Sequence, residues 1–215
     1  MPDSGYASVD VNSVKINVLS TIRSNLFIPD PRRGWNKYAY KKAKKLISEY
    51  NIKTVITTSP PHSSQLIGLK LKKNLNIQWI ADFRDSWTDI YYYKNLKHSY
   101  LSATIDQYFE KKILIIADKI ITVSDDLKKL LCEKSNKIST SKVSVISNGY
   151  DAEDFTYLTK SKNARYTITY TSTMAESYSP ERIIEALVSI KNKGLDFVLK
   201  IVGVVSPNNN RCWPN

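Results

Sequence analysis

From about residue 37 onward the chain alternates short β-branched or apolar runs with amphipathic stretches of roughly ten residues or more, and this rhythm restricts the fold most. Tyr40, Ala43, Leu46, Ile47 and Tyr50 recur at helical spacing, so the pattern predicts a helix over 37–50. Residues 54–58, with Val55-Ile56-Thr57-Thr58, read as a buried strand; 63–75 read as helix and 77–81 as the next strand. The spacing of Ile105, Tyr108, Phe109, Ile113 and Ile116 predicts a long helix over 101–117 with those residues on its apolar face. A strand over 119–123, a helix capped by Ser124 and running to 133, and a strand over 143–146 complete the series. Residues 1–35 show weak periodicity, with turn signals at Pro29-Asp30-Pro31 and Arg33-Gly34.

Strands that alternate with helices imply βαβ units and a parallel sheet, the α/β, Rossmann-like class. Right-handed crossovers align the carboxyl ends of such strands along one edge. The loops after Thr58, Asp82, Val123 and Ile146 are therefore expected to share one cleft. Residues 1–156 read as the main domain and 157–165 as a linker. Residues 166–205 read as the start of a second Rossmann-like domain, with strands over 167–171 and 197–202, a helix over 180–193 and Ser179 as its N-cap. Residues 206–215 read as a disordered tail. Two strands and one helix do not close a core, so the second domain is expected to be incomplete.

Charge narrows the partners. The net charge is +12, and nine lysines between residues 37 and 73 face a single acid, Glu49. Such a block suits anionic lipid headgroups, phosphorylated substrates or nucleic acid, or else a solvated helix face. For nucleic acid, charge is the sole support. The longest apolar run is Ile113 to Ala117, short of a membrane span, and the first residues lack the pattern of a signal peptide. With two widely spaced cysteines, Cys132 and Cys212, the expectation is a soluble cytoplasmic protein with free thiols.

Candidate site residues cluster at the strand ends. Pro60-Pro61-His62-Ser63-Ser64 opens a helix, where backbone N–H groups favour an anion; equally, the prolines stop the strand and Ser63 caps the helix. Asp82, Arg84 and Asp85 follow the next strand. The carboxylates suit sugar hydroxyls and the guanidinium suits phosphate, or Asp and Arg pair internally to shape the loop. Trp87 either stacks on a sugar or base or anchors the loop. Tyr91-Tyr92-Tyr93 forms a lid or acceptor surface, or packs. Asn148-Gly149 ends the last strand, most simply as a tight turn in which glycine permits positive φ or close approach. No Gly-x-Gly-x-x-Gly, Walker, Asp-x-Asp or Ser-His-Asp pattern and no Cys/His cluster is present.

Five segments occur in a telling order: Phe27-Ile28-Pro29-Asp30-Pro31-Arg32-Arg33-Gly34-Trp35, Thr58-Ser59-Pro60-Pro61-His62-Ser63, Ala81-Asp82-Phe83-Arg84-Asp85-Ser86-Trp87-Thr88, Ala117-Asp118-Lys119-Ile120-Ile121-Thr122-Val123-Ser124 and Val145-Ile146-Ser147-Asn148-Gly149-Tyr150-Asp151. Together they resemble the N-terminal, acceptor-side domain of bacterial GT-B retaining glycosyltransferases of family 4, which build surface polysaccharides. The resemblance implies transfer from a nucleotide-sugar, without a metal or other cofactor, to a saccharide or lipid-linked acceptor. It implies that His62 and Asp85 line the reaction centre and that Arg84 orients the loop or binds acceptor. Ser63, Asp82, Trp87, Asn148 and Gly149 are the further candidate substrate contacts. The basic helix with Lys37, Lys41, Lys42, Lys44 and Lys45 would suit a lipid-phosphate acceptor at the inner membrane face, making the protein peripheral there.

The family's upstream glycine-rich loop and its later Glu-x7-Glu motif are missing from these 215 residues. The chain therefore reads as truncated at both ends and inactive alone. The alternative is a non-catalytic module that binds a membrane surface or a protein partner.

Overall fold

A computed structural model describes residues 21–90, 93, 96, 98–156, 162–174 and 180–205. The chain divides into two compact units at Asp151. In the first, residues 21–26 are helical and a 3-10 turn, Pro31–Trp35, follows. Then come α1 (Asn36–Glu49), β1 (Thr54–Ser59), α2 (Ser63–Asn74), β2 (Gln78–Phe83), α3 (Tyr100–Ile116), β3 (Lys119–Thr122), α4 (Asp125–Glu133) and β4 (Val143–Val145). The four strands form one parallel sheet in the order β1-β2-β3-β4. The alternation read from the sequence is the fold.

One face of this sheet carries the core. Trp79, Ala81 and Phe83 of β2, Ile120 of β3 and Val143 of β4 pack with Leu69 of α2, Ile113 and Leu114 of α3 and Leu131 of α4. A second cluster joins Ile67 and Leu71 of α2 to Ala39, Tyr40, Ala43 and Ile47 of α1 and to Val55 of β1. Gly68 permits the close approach of α2 to β2, because a Cβ there would lie 2.2 Å from Trp79 Nε1.

Two expectations are corrected. The first strand is not buried: β1 is a sheet edge whose residues alternate between exposed and half-buried up to Ser59, with Ile56 58% exposed. The buried side of α3 only partly follows the apolar stripe named above. Ile113 is buried and Phe109 and Ile116 pack against the core, but Tyr108 is exposed, and Ser102, Asp106, Glu110 and Leu114 are the other buried residues. The amino-terminal half of α3 turns polar groups inward because a loop rich in donors packs there, and the carboxyl-terminal half meets the sheet.

The second unit pairs β5 (Tyr166–Thr171) with β6 (Phe197–Val202) in parallel, with α5 (Glu181–Asn192) between them. Gly203, at φ 141°, lies where a Cβ would meet the Ser172 carbonyl oxygen at 2.0 Å. Ile183, Val188, Leu195, Val202 and Val204 are exposed. Ser179, Tyr91, Tyr92, most of the expected linker and the 206–215 tail lie outside the described residues.

Candidate functional site

Parallel pairing brings the carboxyl ends of the strands to one edge, and three of the loops that leave it carry the candidates. His62 ends the loop after β1, at the start of α2. Its imidazole stacks on Trp87 of the loop after β2, with ring centroids 5.0 Å apart and planes 11° from parallel. Burial outweighs the pull of the Asp30 carboxylate and lowers the His62 pKa to about 4, so the ring is neutral at neutral pH. Its Nδ1 is buried without a hydrogen-bond partner.

The anion attracted to the amino end of α2 is supplied by the chain itself. Asp30 Oδ2 accepts from the Ser63 N–H at 2.7 Å, and Oδ1 accepts from the Ser63 hydroxyl at 2.9 Å. Asp30 also accepts from the Arg32 N–H at the 3-10 turn. Ser63 is fully buried, so it joins the site as scaffold, with both of its donors engaged. Asn36 donates to the Ser63 carbonyl and ties the start of α1 to the same corner.

Gln65 was not singled out in the sequence, yet it fixes the strand ends. Fully buried, it donates through Nε2 to the Thr57 carbonyl at 3.1 Å, to Ser59 Oγ at 3.0 Å and to the Asp82 carbonyl at 2.9 Å, while Oε1 accepts from Thr57 Oγ1 at 2.6 Å. One amide side chain thus holds α2 against both β1 and β2. No sequence pattern flagged it, because glutamine on a helix is ordinary until the partners are known.

Beyond β2, Arg84 donates through Nε to Asp82 Oδ2 at 3.0 Å and through Nη1 to Asn148 Oδ1 at 2.9 Å. The internal Asp–Arg pair exists, and it also reaches the loop after β4. Asp82 is 5% exposed. Asp85, one residue on from Arg84, is exposed and has no hydrogen bond or ion pair among the described residues.

Trp87 is 2% exposed, so its ring is an anchor inside the unit. Two acids on α3 hold the anchor and its neighbours. Asp106 accepts from Trp87 Nε1 at 3.1 Å and from the Tyr93 hydroxyl at 2.9 Å. Glu110 accepts from the N–H of Trp87 at 3.2 Å, the N–H of Thr88 at 3.4 Å and the Thr88 hydroxyl at 2.6 Å. Lys134 pairs with Glu110 at 3.1 Å and with Asp89. Burial pushes the Asp106 pKa up to about 6 against the two hydrogen bonds that favour its charge. Burial also works against a charged Lys134, but Asp89 and Glu110 outweigh it and raise that pKa.

Asn148 and Gly149 are exposed at the same edge. Gly149 adopts no left-handed φ, and a Cβ there would meet nothing within 4 Å. Neither positive φ nor close approach explains the glycine. Among the described residues no group of three or more His, Cys, Asp or Glu could hold a metal ion. The edge therefore offers a neutral imidazole, an unpaired carboxylate and a partly neutralised guanidinium, a set that suits hydroxyl-bearing ligands and proton transfer.

A comparison with family models matches residues 6–154 to the model described as Glycosyltransferase Family 4. No curated protein matches the chain.

Proposed function

Because the chain belongs to glycosyltransferase family 4, we propose that it serves transfer of a sugar from a nucleotide-sugar donor to a saccharide or lipid-linked acceptor in the synthesis of surface polysaccharide. The supporting observation is the exposed carboxylate of Asp85 on the β2 loop, without a partner among the described residues and next to Arg84, which links that loop to Asn148. Transfer breaks the bond from the anomeric carbon to a diphosphate oxygen and joins that carbon to an acceptor hydroxyl, whose proton passes to the departing diphosphate. Asp85 is assigned to accept that hydroxyl's hydrogen bond. His62, neutral at neutral pH, is assigned to the reaction centre as a hydrogen-bonding group. Asp82 and Arg84 shape the acceptor side, Asn148 and Gly149 border it, and Ser63 and Trp87 support it from below. Residues 1–156 take the acceptor-side role and 166–205 the donor-side role.

A second element of this reading concerns the acceptor's setting. Lys37, Lys41, Lys42, Lys44 and Lys45 are all exposed on α1. Lys41, Lys44, Lys45 and Lys53 also border an open groove near the amino ends of β1 and β2, the opposite end of the sheet from Asp85. A surface of this charge favours an anionic membrane. Among the described residues no helix is long and apolar enough to cross one.

The deciding experiment measures nucleoside diphosphate release from a panel of nucleotide-sugars in the presence of lipid-linked and free saccharide acceptors. Asp85→Asn should lower turnover by about 10²- to 10⁴-fold, the usual weight of a positioned acid–base group, with no change in thermal stability. Full turnover in that variant would remove Asp85 from the reaction centre.

A further inference from the structure

Glu110 takes four donors on one fully enclosed carboxylate: the N–H groups of Trp87 and Thr88, the Thr88 hydroxyl and the Lys134 ammonium. One helical turn earlier, Asp106, equally enclosed, holds the Trp87 indole and the Tyr93 hydroxyl. Residues four apart lie above one another on a helix face, so both acids address the same loop. Buried carboxylates cost several kcal/mol unless their lone pairs are filled by donors, and here nearly every filling donor belongs to the β2 loop. Lys134, at the end of α4, closes the arrangement by also donating to Thr88 Oγ1 at 2.8 Å and pairing with Asp89.

We propose that Glu110 and Asp106 are positioning residues: through Trp87 and Thr88 they hold the loop that presents Asp85, and they fix the indole against which His62 is stacked. This rests on the glycosyltransferase reading for its functional meaning, but the grip itself is separate from it. Trp87 joins the two candidates physically. Its backbone follows Asp85 by two residues, its ring lies on His62, and its two hydrogen bonds both run to α3. The neutral state of His62 fits the same picture, because the covering indole removes water from the imidazole.

Two variants test the grip without emptying a buried site. Glu110→Gln keeps shape while weakening acceptance, and Thr88→Val removes only the bridging hydroxyl. Three measurements apply to the whole chain: amide hydrogen exchange at Trp87 and Thr88, titration of the His62 imidazole by NMR, and steady-state transfer. We expect exchange at those two amides to quicken at least tenfold while β2 and β3 amides stay protected. We also expect the His62 midpoint to move from about 4 toward 6.5, and kcat to fall about tenfold or more with KM within a factor of two. A purely structural role would lower stability without moving the imidazole midpoint or splitting kcat from KM. Unchanged loop exchange and an unchanged midpoint in both variants would overturn the inference. If the unaltered protein shows no transfer with any donor, the chain is inactive alone, as its sequence leads one to expect, and exchange and titration still decide the grip.

Discussion

Arg84 donates through Nη1 to Asn148 Oδ1 at 2.9 Å, so a single side chain crosses from the end of β2 to the loop after β4. The same guanidinium turns its Nε to Asp82. Lysine has one donor point in place of a fork and cannot span both partners. Arg84→Lys should therefore lower transfer by about tenfold or more. The partly exposed ion pair contributes little to folding, so stability should change by less than about 1 kcal/mol. Kinetics and chemical denaturation of one preparation check both halves. A variant that transfers at full rate would confine Arg84 to loop shape.

His62 makes the protein sensitive to acid. Its pKa is lowered from 6.5 to about 4, chiefly by burial, so between those values the unfolded chain binds a proton that the folded chain refuses. Stability is thus lost as pH falls through that window. His62→Phe keeps a ring on Trp87 and removes the proton. We expect the loss between pH 6.5 and 4 to shrink by about 2–3 kcal/mol, at 1.36 kcal/mol per pKa unit. Urea unfolding at pH 7, 5.5 and 4 measures it.

Asp106 works in the opposite direction. Burial raises its pKa from 3.8 to about 6, so the folded chain takes up a proton first on acidification. That uptake adds stability between pH 6 and 4 and offsets part of the His62 loss. Asp106→Asn cannot take up the proton. Neutral at every pH like the protonated acid, it should match the unaltered protein near pH 4 and exceed it by about 2 kcal/mol at pH 7. Parallel stability curves would show that Asp106 does not titrate in this range.

Gly68 and Trp79 set the spacing of α2 on the sheet. The indole is fully buried and fixed by its Nε1 bond to Thr57 Oγ1 at 2.8 Å, so it has no room to yield to a methyl group. Overpacking of this kind costs about 1–3 kcal/mol, while alanine returns up to about 1 kcal/mol in helix propensity. Gly68→Ala should destabilise by about 1–2 kcal/mol, with a shift in tryptophan emission. An unchanged denaturation midpoint would contradict this packing.

The repeating elements were legible because their signal is local. Helical spacing in 37–50 and the β-branched run at 54–58 depend on near neighbours, and each boundary fell within two residues of the structure. The end of β2 ran later than expected, since Asp82 and Phe83 gain partners in both β1 and β3. The strand-end candidates were legible as a group for the same topological reason. Their supports were not. Asp30, Gln65, Asp106 and Glu110 act through partners that are mostly distant in sequence, and an acid on a helix reads as solvent-facing until a loop is known to cover it. The pair Asp106 and Glu110 did carry one faint sign: at four-residue spacing they continue the stripe that ends in Ile113 and Leu114. Trp87 went the other way, since an aromatic beside charged residues fits a ligand platform or an anchor equally well, and only its burial decides.

The strand order β1-β2-β3-β4 has a consequence for how the protein comes into being. Neighbours in the sheet are also neighbours in the chain: Thr54 meets Gln78 across 24 residues, and Trp79 meets Asp118 across 39. Closing loops of that length costs little more for the longer than for the shorter, so no strand waits for a distant partner. A nascent polypeptide can dock each new βα segment on the one before as it leaves the ribosome. The edge that gathers His62, Asp85 and Asn148 is then completed last, when Asn148 emerges and Arg84 finds it.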